Sequence, residues 1–152
     1  MQIIRDFERK DFEDVLEVVE TFSLDHRKMA TEELPLHWDI EGAHYFVCEV
    51  AGKVVGHLGY KPDLWGAKGI FWAEWGYVHK DYQKKGIATK LWDHLEEHTK
   101  ANGGRKIYFD VGNAEEHGDA IRLYEKRGYI LEGTLLDYWG DNDHFLVFAK
   151  KI

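Results

Sequence analysis

The sequence predicts a mixed α/β fold in which one sheet carries helices on its faces. Three observations favour it. Segments with strand-like apolar patterning alternate with segments whose apolar residues recur at helical spacing. The 152 residues suit one domain with a single core, here 1–152, and 44% of them are hydrophobic, which is enough for a packed interior. No repeats, low-complexity segments or linkers divide the chain.

The N-terminal half predicts one strand and two helices before a hairpin. Residues 2–5 form a short strand, and Asp11 can cap a helix. Its apolar face comprises Phe12, Val15, Leu16, Val19 and Phe22. The least patterned part, residues 23–42, contains Pro35 and predicts a second short helix and a loop. Strands near 44–50 and 54–60 then flank the turn AGK.

The C-terminal half predicts four further strands and two helices. The run IFWAEWGYVH, residues 70–79, indicates a long strand in which Gly76 is a candidate bulge. A helix follows the basic, glycine-bearing turn that begins at Gln83, and it ends at the Asn102–Gly104 stop signal. The remaining elements are a strand over 106–111, a short helix stopped at Gly128, and strands over 129–138 and 145–149. The predicted order is β-α-(α)-β-β-β-α-β-α-β-β.

The net charge indicates which molecules the protein binds, and the cysteine content indicates whether it forms a disulfide. The net charge of −8 disfavours nucleic acid and anionic membranes as main partners, and it favours a cationic substrate such as an amine. The N-terminus lacks signal-peptide features, and no apolar run approaches membrane-spanning length, so we expect a soluble, cytoplasmic protein. Cys48 is the single cysteine, which excludes an intramolecular disulfide. It is expected to be a small buried residue.

The stretch QKKGIAT, Gln83 to Thr89, is the first functional signal. A helix N-terminus leaves backbone N–H groups without partners and carries partial positive charge. Gly86 allows close approach of the backbone to a ligand, Ala88 is small, and the two lysines add charge. These features favour a pyrophosphate site, although GxxxxGK[ST] and GxGxxG are both absent. The alternative is an ordinary strand-to-helix turn with solvated lysines.

The longer segment YVHKDYQKKGIATKL resembles the acetyl-CoA motif of the GNAT superfamily of N-acetyltransferases. Its Q/R-x-x-G-x-G/A pattern is filled by Gln83, Gly86 and Ala88, with Val78 five residues earlier. The segment AIRLYEKRGY, residues 120–129, resembles the second signature of that family. The resemblance covers nearly the whole chain. It implies a mostly antiparallel sheet with splayed strands and an enzyme that transfers acetyl from acetyl-CoA directly to an amine.

The resemblance also implies roles for particular residues. Backbone groups of Gly76, Tyr77 and Val78 are expected to pair with the pantetheine arm. The expected pyrophosphate ligands are backbone N–H groups of Lys84, Lys85, Gly86, Ile87, Ala88 and Thr89. Tyr124 matches the tyrosine that faces the thioester sulfur and protonates the departing thiolate; a core tyrosine is the alternative. Asn113 is expected to contact the cosubstrate from a long connection, unless His117 replaces it.

A base or water chain must take the proton of the attacking amine. Glu74 is the first candidate, since it would share a strand face with Val78 unless a bulge intervenes. Asp110 is the second. Either carboxylate could instead be structural or solvated.

The expected acceptor is a small cationic amine, aminoglycoside- or polyamine-like. A protein N-terminus or lysine is the alternative, and an acyl-CoA-binding sensor without turnover is a third possibility. Family members are often homodimers. No metal is expected: His94 and His98 indicate a solvated helix face, and Asp141 and Asp143 indicate turn chemistry. Trp65, Trp72, Trp75 and Trp139 could line an acceptor pocket, although packing is their default role.

Overall fold

A computed structural model describes residues 1–112 and 114–152, without the side chains of residues 114–117. It contains a seven-stranded sheet flanked by helices, in the predicted order. The elements are β1 (Gln2–Asp6), α1 (Phe12–Glu20), α2 (Leu24–His37), β2 (His44–Val50), β3 (Lys53–Pro62), β4 (Ile70–Val78), α3 (Ile87–Ala101), β5 (Lys106–Val111), α4 (Ala114–Lys126), β6 (Ile130–Gly140) and β7 (Asp143–Lys151). Single 3-10 turns span Arg9–Asp11 and Lys80–Tyr82.

The sheet runs β1-β2-β3-β4-β5-β7-β6, and its neighbours are antiparallel except for β4 and β5. That parallel pairing is short: it joins residues 70–72 of β4 to residues 106–108 of β5. Beyond Trp72, β4 continues to Val78 without β5 beside it. The sheet is therefore mixed and opens between its central strands, which confirms the predicted fold class.

Each face of the sheet carries its own core. On one face, α3 packs its apolar stripe against the central strands; the buried contributors include Phe46, Leu58, Tyr60, Ile87, Leu91, Trp92, Leu95, Ile107, Phe109 and Phe148. On the other, α1 and α2 cover a smaller core that includes Val15, Leu16, Val19, Ala30, Leu34, Tyr45, Val47 and Val54. Cys48 is buried and free, as expected.

The second helix is longer than predicted. The sequence indicates a short helix and a loop, but α2 has 14 residues and includes Pro35. Ser23 begins it, since its hydroxyl accepts a hydrogen bond from the amide of His26. Pro35 lies in the last turn, where its ring costs one backbone hydrogen bond without ending the helix. Only Ala30 and Leu34 are buried, so the apolar periodicity is too sparse to reveal the helix.

The predicted bulge in β4 is confirmed. Tyr77 lies opposite His57 and Glu74 opposite Gly59, so Trp75 and Gly76 together face the single residue Leu58. Trp75 has a φ of +55°, which is uncommon for a residue other than glycine. The bulge lies in the part of β4 that has separated from β5.

In the described part of the chain, the helices are all too short or too polar to cross a lipid bilayer.

Candidate active site

The opening between β4 and β5 has backbone on both sides. Because the parallel pairing stops at Trp72 and Tyr108, the facing edges of residues 73–78 and 109–111 are not joined to each other. On their outer sides, β4 is held by β3 and β5 by β7, so neither strand can close the gap by a simple shift. An extended molecule could hydrogen-bond to these edges as an added strand does.

The turn between β4 and α3 forms a cradle of backbone amides. Lys84 and Gly86 have φ values of +61° and +79°, and the first bond into the helix runs from the Lys90 amide to the Gly86 carbonyl (3.1 Å). Within the described residues, no hydrogen bond uses the amides of residues 84–89 as donors. Gln83 ties the turn to the Val78 carbonyl (3.3 Å), and Gln2 binds the Lys85 carbonyl (2.9 Å). A helix N-terminus with free, converging amides attracts a phosphate.

The position of Gly86 shows where a ligand can approach. A Cβ atom built on Gly86 meets no protein atom within 4 Å. Glycine is needed here because the backbone has a left-handed φ. A larger side chain would not collide with the rest of the protein. The space in front of the cradle is open to a ligand.

Tyr124 of α4 is buried in the core on the α3 side of the sheet. Its ring packs against Phe109 and Trp92, with centroid distances of 4.3 Å and 5.3 Å. Burial raises the pKa of Tyr124 to about 12, so the phenol keeps its proton at neutral pH. Burial also raises the pKa of Tyr77, and Tyr124 and Asp110 raise it further, which indicates that these three side chains lie near one another. Tyr124 therefore belongs to the aromatic core and carries a protonated hydroxyl.

Glu74 is engaged by three neighbours. Its Oε1 accepts hydrogen bonds from His37 Nδ1 and from the Tyr45 hydroxyl, both at 2.6 Å, and its Oε2 pairs with Lys61 Nζ at 3.1 Å. Burial opposes ionisation of Glu74, but the bonds from His37 and Tyr45 and the charge of Lys61 lower its pKa overall. The result is an ionised carboxylate with little affinity for a proton.

Asp110 has a different environment on β5. Asp110 is exposed to solvent, and the described residues place no ion pair on it. The protein around its other sides raises its pKa by desolvation, and the charge of Glu74 raises it further against the opposing charge of Lys61. A carboxylate with a raised pKa and a free face is better matched to accepting a proton than one already paired.

The bulge decides which face of the sheet Glu74 occupies. Glu74 and Val78 would share a face on a regular strand, but the extra residue places them on opposite faces. Val78 packs against the α3 core, whereas Glu74 meets Tyr45 on the side of α1 and α2. Sequence reasoning missed the partners of Glu74 because His37, Tyr45 and Lys61 come from three other elements and no local pattern links them.

One further expectation is wrong. His94 and His98 do not form a solvated face: His98 Nδ1 lies 2.7 Å from the Tyr60 hydroxyl, and the His94 ring meets Phe46 edge-on at 4.5 Å. Their i, i+4 spacing reflects packing against the sheet. Asn113 and the side chain of His117 lie outside the described residues.

The four tryptophans do not line one pocket. Trp72 stacks on Tyr108 (5.1 Å) where β4 and β5 part, and Trp75 packs against the core of α1 and α2. Trp65 is 97% exposed in the loop after β3, and Trp139 lies half-exposed on β6. Trp72 lies where the opening begins, and Trp75 lies along the open part of β4 with its ring turned to the α1–α2 core.

The family model for the acetyltransferase (GNAT) family matches residues 4–129. The chain belongs to this family. It is an acetyltransferase, and the matched segment contains the splayed strands, the amide cradle and Tyr124. The predicted enzyme class is confirmed.

Two relatives agree with this assignment. The acetyltransferase is 30% identical over 112 residues to S-(2-succino)cysteine N-acetyltransferase of Bacillus subtilis (strain 168), a match that spans 70% of this chain and 64% of that protein. It is 33% identical over 137 residues to an acetyltransferase of Sodalis glossinidius (strain morsitans), spanning 88% of this chain and 90% of the relative.

Solved structures show the same fold. A GNAT-family protein from Desulfovibrio desulfuricans superposes with a TM-score of 0.89 at 20% identity, covering 99% of both chains. An aminoglycoside 6′-N-acetyltransferase complexed with coenzyme A gives 0.83 at 19% identity over 98% of this chain and 96% of that one. The ribosomal-protein-S18-alanine N-acetyltransferase of Escherichia coli gives 0.80 at 19% identity over 100% and 94%.

Proposed function

We propose that this acetyltransferase transfers an acetyl group from acetyl-CoA to an amine by direct attack. The observation that carries the proposal is the amide cradle at residues 84–89, which stands beside the open edge of β4. Acetyl-CoA has a pyrophosphate that fits the cradle and an extended arm whose amides can pair with residues 76–78. It supplies the acetyl group as a thioester.

Two of the described residues, Tyr124 and Asp110, can carry out the two proton transfers that such a reaction needs. The amine nitrogen forms a bond to the acetyl carbon, the carbon–sulfur bond breaks, and the sulfur leaves as a thiolate. Tyr124 donates its phenolic proton to that sulfur. Asp110 accepts a proton from the amine, directly or through a water molecule. Glu74 remains paired with Lys61 and orients the surrounding side chains.

The base assignment makes a prediction about two matched variants. Asp110→Asn is expected to lower kcat about 10²-fold, because a neutral amide cannot accept the proton. Because the pKa of Asp110 is raised, the wild-type rate should rise with pH through that pKa, and the variant should lose this limb. Glu74→Gln is the control, and it should change the KM for the amine more than kcat.

Steady-state kinetics between pH 5 and about pH 9 would check both variants. Loss of the pH limb in Glu74→Gln, with a normal limb in Asp110→Asn, would transfer the role of base to Glu74.

The proposed acceptor is a small cationic amine. Asp110 and Glu74 present carboxylates at the opening, Glu33 contributes to the same electrostatic field, and Lys61 offsets one of these charges. The stacked Trp72 and Tyr108 could contact an ammonium group. The structural neighbours include both an aminoglycoside and a protein acetyltransferase, and the Bacillus relative is named for an amino-acid derivative. Peptide and amino-acid acceptors therefore belong in the same test.

A thiol-release assay with acetyl-CoA tests the function. The panel should contain aminoglycosides, polyamines, amino acids including S-(2-succino)cysteine, and short peptides. Saturable release with the cationic amines supports the proposal, and release with peptides alone favours the protein-acetylating alternative. Calorimetric binding of acetyl-CoA without turnover on any amine would favour the sensor alternative.

We also propose that a second copy of the chain covers the β6–β7 hairpin. β6 is an edge strand whose large apolar side chains are about half or more exposed: Ile130, Leu131, Leu135, Leu136, Tyr138 and Trp139. The hairpin base carries the exposed Lys151, and the hairpin tip carries Asp141 and Asp143. A two-fold arrangement would place each acidic tip against the partner's basic base.

This surface predicts a dimer in solution. Light scattering should give twice the monomer mass, and Leu136→Asp should give the monomer, because it places a charge within the apolar surface. Leu64→Asp is the matched control, since Leu64 is similarly exposed (67% against 71%) but lies in the loop after β3. A wild-type chain that is monomeric at every concentration would contradict the proposal.

A further inference from the structure

His57 is a fully buried histidine next to the β4 bulge. It lies on β3, opposite Tyr77, and its Nδ1 is 2.8 Å from the carbonyl oxygen of Trp75. Trp75 is the bulge residue with the positive φ. The histidine thus contacts the backbone at the place where β4 departs from regular pairing.

The protonation state of His57 follows from this contact. A carbonyl oxygen only accepts hydrogen bonds, so Nδ1 must carry the proton. Burial lowers the pKa of His57 to about 4, against the opposing effect of the Trp75 carbonyl, so the ring is neutral at physiological pH and Nε2 is bare. Nε2 is buried, and no partner for it occurs in the described part of the chain. The ring therefore offers one hydrogen bond, and that bond goes to the bulge.

If the side chain only filled space, a histidine at this position would be energetically unfavourable. An unpaired buried nitrogen costs stability that an apolar side chain of similar size would not cost. What histidine adds at this position is the N–H donor. A bulge disturbs the regular hydrogen bonding of the strand pair, and a left-handed residue other than glycine is strained, so an added bond to its carbonyl stabilises the bulge.

His57 also contacts the side chains behind the opening. Its ring stacks on Tyr45 with a centroid distance of 5.7 Å, and the Tyr45 hydroxyl donates to Glu74. Tyr45 in turn lies flat over Gly59, where a Cβ atom would come within 2.1 Å of its ring. The imidazole is thus packed on one side and bonded to the bulge on another.

We propose that His57 is a positioning residue of the donor site: its hydrogen bond to the Trp75 carbonyl holds the bulge that sets the open edge of β4. The link to acetyl-CoA rests on the function proposed above, whereas the link to the bulge does not. His57 does not touch the reacting atoms and acts through the backbone of residues 75–78.

Two variants separate the donor from the space that the ring fills. His57→Phe keeps a planar ring without an N–H, and His57→Asn keeps a donor near the Nδ1 position in a smaller side chain. In His57→Phe, amide hydrogen exchange at residues 75–78 should be about tenfold faster. The KM for acetyl-CoA should rise about tenfold, while the KM for the amine changes less than about twofold. His57→Asn should stay near wild type in both measurements. If the His57→Phe variant does not fold because its ring is larger, His57→Leu is used in its place.

The two measurements fail in different ways. Unchanged exchange at residues 75–78 in His57→Phe would overturn the proposal, and so would equal damage in His57→Asn, since that result would assign His57 a space-filling role. If the wild-type protein did not bind acetyl-CoA, the proposed function would fall, yet hydrogen exchange would still decide whether His57 holds the bulge.

Discussion

Replacing Tyr124 by phenylalanine is expected to lower kcat about 10²-fold and to leave the affinity for coenzyme A unchanged. The ring packs against Phe109 and Trp92, and phenylalanine would keep those contacts. Only the phenolic proton is lost, and the departing thiolate must then take a proton from water. Because the pKa of Tyr124 is about 12, the wild-type enzyme should show no loss of this acid at moderately alkaline pH.

Tyr129→Phe is the matched control for this experiment. Tyr129 lies in the same aromatic cluster, 5.2 Å from Trp92, but its hydroxyl is directed to Glu96 at 3.4 Å. Stopped-flow acetyl transfer and calorimetric binding of coenzyme A would be measured for both variants. Equal rates for Tyr124→Phe and wild type would show that the thiolate needs no acid from the protein.

Gly86→Val is expected to weaken binding of acetyl-CoA by about 10²-fold or more, which is about 3 kcal/mol. Gly86 has a φ of +79°, a conformation that a β-branched residue adopts only under strain. The protein leaves the Cβ position open, so the added side chain would occupy the space in which we propose that the pyrophosphate binds. Calorimetry with coenzyme A measures the loss directly.

Gly52→Val is the control that distinguishes backbone strain from steric obstruction of acetyl-CoA binding. Gly52 has a nearly identical φ of +81°, and its Cβ position is also free of neighbours, but it lies in the turn between β2 and β3. Both variants should lose similar thermal stability, and only Gly86→Val should lose cosubstrate affinity. Normal binding by Gly86→Val would remove the basis for placing the pyrophosphate at QKKGIAT.

The features that could be read from the sequence are those with local causes. Alternation and helical spacing predict the strands and most of the helices, and Gly86 before a helix predicts a turn whose backbone a ligand can approach closely. Gly76, a glycine within a strand, predicts the bulge. In each case, the residues that determine the structure lie within a few positions of one another.

The features that could not be read depend on contacts between distant segments. The ion pair of Lys61 with Glu74 joins β3 to β4, and His37 reaches the same carboxylate from α2. The packing of His98 against Tyr60 likewise requires the register of α3 on the sheet. Pro35 within α2 shows the same limit, since tertiary burial of Leu34 maintains a helix that local propensity disfavours.

The opening between β4 and β5 has an evolutionary consequence. Its walls are peptide groups, and every residue type except proline supplies the same amide and carbonyl, so most substitutions there leave the proposed donor site chemically intact. Side chains around the entrance, such as Asp110 and Trp72, differ in this respect, because a substitution replaces the chemical group that they present. An ancestral scaffold of this kind could exchange one amine substrate for another by a few surface replacements while continuing to use the same acyl donor.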